Sequence, residues 1–250
     1  MIFLKGKFIK ILLIVSLALN VIFLVSGAYF IQQKGGSSWL FSKFNNSGNA
    51  YKFTPTPFYL SKVRGFNYYP INNGDIVMLG DSLTDNADWN EIFPNKKIRN
   101  RGIFGDTTYG VLNRINQIDN CKPSKAFVMI GINDLQQGVS IKNILQNYKK
   151  IINDLKRTNA RIYVYSVLPI NNKLFLQSNP HFDVSNLQKN VIQLNDQLKK
   201  MCKSNNITYV DLYNQVAKDN QLRAPLTYDG IHLNSDGYKI WRKMIAKYIK

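Results

Sequence analysis

Cysteine and histidine are scarce. Two of each occur among 250 residues: Cys121 and Cys202, His181 and His232. No Cys–His spacing suggests zinc, so a structural metal site is not expected. Each cysteine stands shortly before a strand-like run, and those strands are expected two apart in a parallel sheet, about 9–10 Å. A disulfide needs Cα atoms within about 7 Å. Unpaired thiols are therefore the expectation, even in an oxidising compartment. Acidic residues are also few, 15 against 33 Lys and Arg, which leaves a net charge of +18. The cations are scattered along the chain rather than gathered into a block, and no basic–aromatic cluster matches a nucleic-acid module. Such a field favours anionic surroundings, such as phospholipid head groups or acidic wall polymers, and no nucleic-acid partner is expected. There is no internal repeat.

Charge is missing altogether from Ile11 to Ile31, a run of 21 residues preceded by Lys5, Lys7 and Lys10. At about 1.5 Å per residue this helix would span about 30 Å, the thickness of a bilayer's hydrocarbon core. The basic flank, residues 1–10, is expected to stay cytoplasmic, leaving the rest of the chain outside. The alternative is a cleaved signal peptide, with Val25-Ser26-Gly27 as a small-residue cleavage site and a secreted product. The run exceeds the usual 7–15 residues of a signal peptide's apolar region, which favours an uncleaved signal-anchor over residues 11–31. Residues 32–53 then form a linker, polar at Gly35-Gly36-Ser37-Ser38 and Asn45-Asn46-Ser47-Gly48-Asn49. Trp39, Leu40, Phe41 and Phe44 interrupt it and suit a membrane interface. Residues 54–250 are the expected folded domain, opening with a helix from Thr54-Pro55-Thr56-Pro57 to Tyr69 that packs onto it.

Apolar residues make up 45% of the chain, enough for one substantial core. Strand-like runs at Ile76–Leu79, Lys97–Asn100, Ala126–Ile130, Ile162–Val167 and Thr208–Val210 alternate with helical patterns. The helical stretches are Tyr109–Ile118, Ile141–Arg157, Val184–Ser204 and Ser235–Lys250. In the second of these, Ile141, Ile144, Leu145, Tyr148, Ile151, Ile152 and Leu155 recur at helical spacing, which marks one buried face. Strands alternating with helices predict a parallel sheet covered on both faces. Ligands of such sheets bind beyond the carboxyl ends of the strands.

Four tetrapeptides sit at those ends or open the last helix: Gly80-Asp81-Ser82-Leu83, Gly105-Asp106-Thr107-Thr108, Gly131-Ile132-Asn133-Asp134 and Asp229-Gly230-Ile231-His232. Any one of them recurs by chance; four in order do not. Ser82 follows an apolar strand, where a serine is either a helix N-cap or a nucleophile awaiting a base. The second glycine of the G-x-S-x-G elbow is missing, which excludes that hydrolase class at this serine. His232 is the candidate base, with Asp229 three residues earlier to orient its ring and stabilise the imidazolium. His181 lies in the long Leu168–Asp183 loop with no partner in sequence and is assigned to the surface or a substrate loop. Asp81 and Asp134 are expected to shape their turns rather than react.

This set resembles the SGNH (GDSL) hydrolase superfamily, from about Asp75 to the C-terminus. The resemblance implies a three-layer α/β/α flavodoxin-like sandwich with a five-stranded parallel sheet, here preceded by one N-terminal transmembrane helix. It implies Ser82, Asp229 and His232 as catalytic residues. It also implies an oxyanion hole built from the Ser82 N–H, the N–H of a second-block glycine and the Asn133 amide. Gly105 fits that glycine best; Gly102 is the other candidate. The stretch Asn100 to Thr108 is most similar to the platelet-activating-factor acetylhydrolase-like branch, which implies small acyl groups, acetyl first. Short loops outside Leu168–Asp183 leave no room for a lid domain, so an open site is expected, suited to a large alcohol. The function this predicts is a membrane-anchored extracytoplasmic serine esterase, cleaving a short acyl group from a carbohydrate or lipid ester without a cofactor. Two alternatives stand beside it. One is an O-acyltransferase, supplied by a membrane partner and moving the acyl group onto a surface polysaccharide. The other is a non-catalytic binding domain on the same fold. A chromogenic acetate ester assayed with and without carbohydrate acceptors separates the three.

Overall fold

The computed structural model describes residues 2–33, 51–119 and 121–250. It divides into two compact units, residues 1–52 and 53–250. In the first, helix α1 (Ile2–Gln33) is continuous, so the basic flank expected as a tail belongs to the helix itself. Its Leu12–Gln33 portion is long and apolar enough to cross a membrane, with side chains exposed around the helix. Most of the linker expected at 32–53, including Trp39, Leu40, Phe41 and Phe44, lies outside the described residues.

The second unit opens with α2 (Pro57–Tyr68), capped by the Thr56 hydroxyl, which accepts from the Tyr59 N–H. The Tyr59 hydroxyl donates to the Gly110 carbonyl at 2.7 Å, and the Phe66 ring lies 4.7 Å from the Arg101 guanidinium. These contacts dock α2 on the domain, as the sequence predicts.

Among the described residues, strands β1 (Ile76–Gly80), β2 (Ile98–Gly102), β3 (Lys125–Met129), β4 (Arg161–Tyr165) and β5 (Thr208–Val210) form one parallel sheet. The order is β2-β1-β3-β4-β5, the flavodoxin-like arrangement. The sheet is buried on both faces, which is why β1 reads as an unbroken apolar run. One face carries Ile76, Met78, Phe127, Tyr163 and Tyr165. These pack with Trp89 and with Trp241 of the C-terminal helix Ser235–Ile249. The two tryptophans meet edge to face at 5.1 Å, a favoured aromatic geometry.

The helices around the sheet are α3 (Thr108–Asn113), α4 (Ile132–Gln136), α5 (Ile141–Arg157), α6 (Asn172–Ser178), α7 (Leu187–Ser204) and α8 (Ser235–Ile249). Helix α5 matches its predicted bounds and buries Ile144, Tyr148, Ile151, Ile152 and Leu155. Two expectations need correcting. The single helix expected over Tyr109–Ile118 is broken after α3 and resumes at Asn116, because Arg114 leaves the helical conformation and turns its side chain inward. The Leu168–Asp183 loop contains α6, capped by the Asn171 side chain. A helix of seven residues is too short to show a periodic signal. Cys121 and Cys202 are both free, and burial pushes the Cys202 thiol up.

Candidate active site

Helix-capping chemistry frees the serine. Where β1 ends, Asp81 takes the N-cap position of the turn Ser82–Asp85, its carboxylate accepting from the Leu83 N–H at 3.1 Å. The capping role open to Ser82 in the sequence is thus filled by its neighbour. Ser82 Oγ instead lies 2.9 Å from His232 Nε2, across 150 positions of sequence. His232 Nδ1 lies 2.6 Å from Asp229 Oδ2. An ionised carboxylate only accepts, so Nδ1 carries the proton and Nε2 presents its lone pair to the serine. The Asp229 carboxylate also accepts from the His232 and Ile231 N–H groups at 2.8 and 3.0 Å. Burial alone would raise its pKa, but these hydrogen bonds outweigh it and hold the group below the usual carboxylate value.

Asn133 sits in the first turn of α4, beyond the end of β3. One of its amide hydrogens is held by the Asp106 carbonyl at 2.8 Å, which fixes the side chain and leaves the second without an acceptor among the described residues. Gly105 turns the chain at φ +73°, in the left-handed region that favours glycine. Among the described residues the N–H groups of Ser82 and Gly105 take no protein acceptor. Ser82, Gly105, Asn133, Asp229 and His232 line one open cleft of about 300 Å³.

Gly102 has a different use. A Cβ there would come within 2.2 Å of the Asp85 nitrogen, so its bareness lets the Ser82–Asp85 turn close on β2. His181 is exposed and does not line the cleft.

A buried polar frame holds the strand ends in place. The Arg114 guanidinium, 2% exposed, pairs with the Asp106 carboxylate at 2.8 Å and donates to the Gly80 carbonyl at 3.3 Å. Asp134 accepts from the Thr108 N–H at 2.9 Å and its hydroxyl at 2.6 Å. Burial, with smaller contributions from the other two aspartates, pushes Asp81 up to about 7. Burial likewise pushes Asp134 up to about 6. Neither faces the cleft, in keeping with turn-shaping roles.

Sequence reasoning did not single out Arg114, which is indistinguishable there from the surface cations of an amphipathic helix. It also missed Phe175 and Phe182, cleft residues carried by the segment taken for a loop. Phe104 and Tyr228, whose rings stack beside the His232 imidazole at 5.4 and 5.8 Å, carry no periodic signal at all. No group of three or more His, Cys, Asp or Glu side chains arranged for a metal occurs among the described residues.

A serine hydrogen-bonded to a polarised imidazole, in a cleft lined by hydrogen-bond donors, is what acyl transfer requires. Residues 78–240 match the GDSL-like Lipase/Acylhydrolase family. The chain is 25% identical over 173 residues to the N-acylneuraminate cytidylyltransferase of Streptococcus agalactiae serotype V, covering 69% of this chain and 38% of that protein. It therefore spans well under half the length of that relative. It is 27% identical over 173 residues to platelet-activating factor acetylhydrolase IB subunit alpha2 of Homo sapiens, covering 66% of this chain and 71% of that one. A solved GDSL-like lipase from Bacteroides thetaiotaomicron shares the fold with a TM-score of 0.67 at 22% identity, over 76% of this chain and 96% of its own.

Proposed function

The chain belongs to the GDSL-like lipase/acylhydrolase family, and we propose that it is a membrane-anchored extracytoplasmic serine esterase. It removes a short acyl group, acetyl first, from a carbohydrate or lipid ester. The observation that carries this reading is the continuous relay Ser82 Oγ–His232–Asp229, at 2.9 and 2.6 Å, opening on a cleft with unclaimed donors. His232 Nε2 accepts the Ser82 proton as Oγ attacks the ester carbonyl. The oxyanion is held by the N–H groups of Ser82 and Gly105 and by the free amide hydrogen of Asn133. As the intermediate collapses, His232 gives its proton to the leaving alkoxide and the acyl group stays on Ser82. Water, deprotonated by His232, then releases the acid. Asp229 keeps the imidazole in the required tautomer throughout.

The acetyl preference rests on similarity to the acetylhydrolase and on the modest cleft, lined in part by Phe175 and Phe182, whose rings meet edge to face at 5.3 Å. The sugar alternative for the alcohol is supported by the relative named for N-acylneuraminate. Location rests on the Leu12–Gln33 helix. That helix also favours a second reading: an O-acyltransferase with the same residues, in which a sugar hydroxyl replaces water and a membrane partner supplies the acyl group.

One experiment addresses both readings. A fluorophosphonate probe should label the intact chain at one serine, and Ser82→Ala should abolish labelling and reduce acetate-ester turnover to background. Asn133→Ala should keep labelling but lower turnover by about 10²–10³. Labelling that persists at another serine overturns the assignment. Running the turnover assay with a carbohydrate acceptor separates transfer, which yields acylated acceptor, from hydrolysis, which yields free acid.

A further inference from the structure

The alcohol half of the ester has to lie beside His232, because His232 Nε2 hands its proton to the leaving oxygen. Two aromatic rings wait on that side. Phe104, in the turn after β2, lies 5.4 Å from the imidazole at an interplanar angle of 26°. Tyr228, one residue before Asp229, lies 5.8 Å away at 15°. Both belong to loops that also carry the catalytic machinery, so their places relative to the reacting atoms are fixed by the same backbone. Yet Phe104 is 55% exposed and Tyr228 is 62% exposed. Phe104 lines the cleft and Tyr228 flanks the same imidazole; large rings left uncovered beside a cleft mark a surface that a ligand completes.

The neighbouring groups narrow the ligand's chemistry. No lysine or arginine lines the cleft among the described residues, despite the net charge of +18, so nothing there matches a phosphate head group. Besides the catalytic groups, the cleft's polar side chains are amides: Asn133 and Asn179, which donate to the Asp106 and Phe175 carbonyls, and Gln136, which makes no hydrogen bond among the described residues. Flat π faces near the Gln136 amide suit a ring with an apolar C–H face and hydroxyls around its edge. The electron-rich face of an aromatic ring attracts such polarised C–H groups. A flexible acyl-glycerol chain gains little from two flat platforms.

Resting on the esterase reading above, we propose that Phe104 and Tyr228, with Gln136, form an alcohol-side subsite that holds the pyranose ring of an O-acylated sugar. The ring stacks on the exposed aromatics, the amide takes a ring hydroxyl, and the ester carbonyl is thereby delivered to Ser82. Phe104 and Tyr228 are specificity residues in this scheme.

The test compares two acetates: methyl 6-O-acetyl-β-glucopyranoside, which has the ring and its free hydroxyls, and triacetin, which has the same acyl group without them. The double variant Phe104→Leu, Tyr228→Leu keeps apolar bulk at two exposed positions and removes the flat faces. The preference for the glucopyranoside over triacetin, as a ratio of kcat/KM, should fall by about tenfold, mainly through a higher KM for the glycoside. An unchanged ratio, or equal losses on both substrates, overturns the subsite. Binding gives an arm that needs no catalysis. In Ser82→Ala, saturation-transfer NMR should detect the glycoside's axial ring protons against the protein, and the two Leu substitutions should remove that signal. If the intact chain hydrolyses neither acetate while this binding signal persists, the esterase reading fails and the subsite stands. Absence of binding in Ser82→Ala overturns the subsite whatever the activity.

Discussion

At the residue scale, one aspartate decides what its neighbour does. Because Asp81 supplies the cap that the turn needs, Ser82 keeps its hydroxyl for His232. The same burial that makes Asp81 a rigid cap has a measurable consequence. Its pKa is about 7 in the folded chain, against the ordinary 3.8, because burial disfavours the charge and Asp106 and Asp134 add repulsion. The folded state therefore holds a proton that the unfolded chain has released. Stability from this group is fully present below about pH 4 and is lost as pH rises through about 7, at up to about 1.4 kcal/mol per pH unit. Asp134, pushed up to about 6, acts in the same direction. Asp81→Asn keeps an acceptor for the Leu83 N–H and removes the titrating group. Its melting temperature should fall less between pH 4 and 7 than that of the unmodified chain. Parallel melting curves for the two across that range would rule this account out.

The segment least visible in the sequence matters most at the scale of elements. Helix α6 lies against the loop that carries Asp229 and His232, and Gly230 is where they meet. The Asn171 N–H donates to the Gly230 carbonyl at 2.7 Å. A Cβ on Gly230 would stand 2.4 Å from the Phe175 nitrogen and 2.7 Å from the Asn171 carbonyl oxygen, both backbone atoms that cannot swing aside. The residue also adopts φ +92°, which only glycine takes without strain. Gly230→Ala should therefore cost about 2 kcal/mol or more, and it should push α6 off the loop. Thermal melting should show the loss, and fluorophosphonate labelling of the surviving folded protein should slow. A variant that melts and labels like the unmodified chain would show that α6 and the Asp229–His232 loop are not coupled in this way. The broken helix after α3 belongs to the same scale. An amphipathic pattern places Arg114 on a helix, and only its contacts with Asp106 and Gly80 explain why the helix stops there.

For the whole molecule, the chain pairs a helix suited to a bilayer with a catalytic-type domain that buries its own core. If the helix anchors the domain, the full-length chain should sediment with membranes and resist salt extraction. External protease should then cleave the 53–250 unit from intact cells. Recovery of a shortened, freely soluble form would instead favour cleavage near Gly27.

Much of this was legible in the sequence because it is written in local periods and local chemistry. The apolar runs of β1, β3 and β4 mark central strands, the spacing in α5 marks one buried face, and three of the four tetrapeptides follow strands, the fourth leading into the last helix. Those features fixed the class of fold and pointed to Ser82, Asp229 and His232, while Gly105 and Asn133 came from the family resemblance of their blocks. The resemblance already favoured Gly105 over Gly102, and the tertiary structure adds that Asp85 closes over Gly102 while Gly105 lines the cleft. Arg114, α6 and the pair Phe104 and Tyr228 were decided by tertiary packing. Their roles depend on partners far away in the chain, such as Gly80 for Arg114 and His232 for Phe104, and a distance of that kind leaves no period for a sequence to carry.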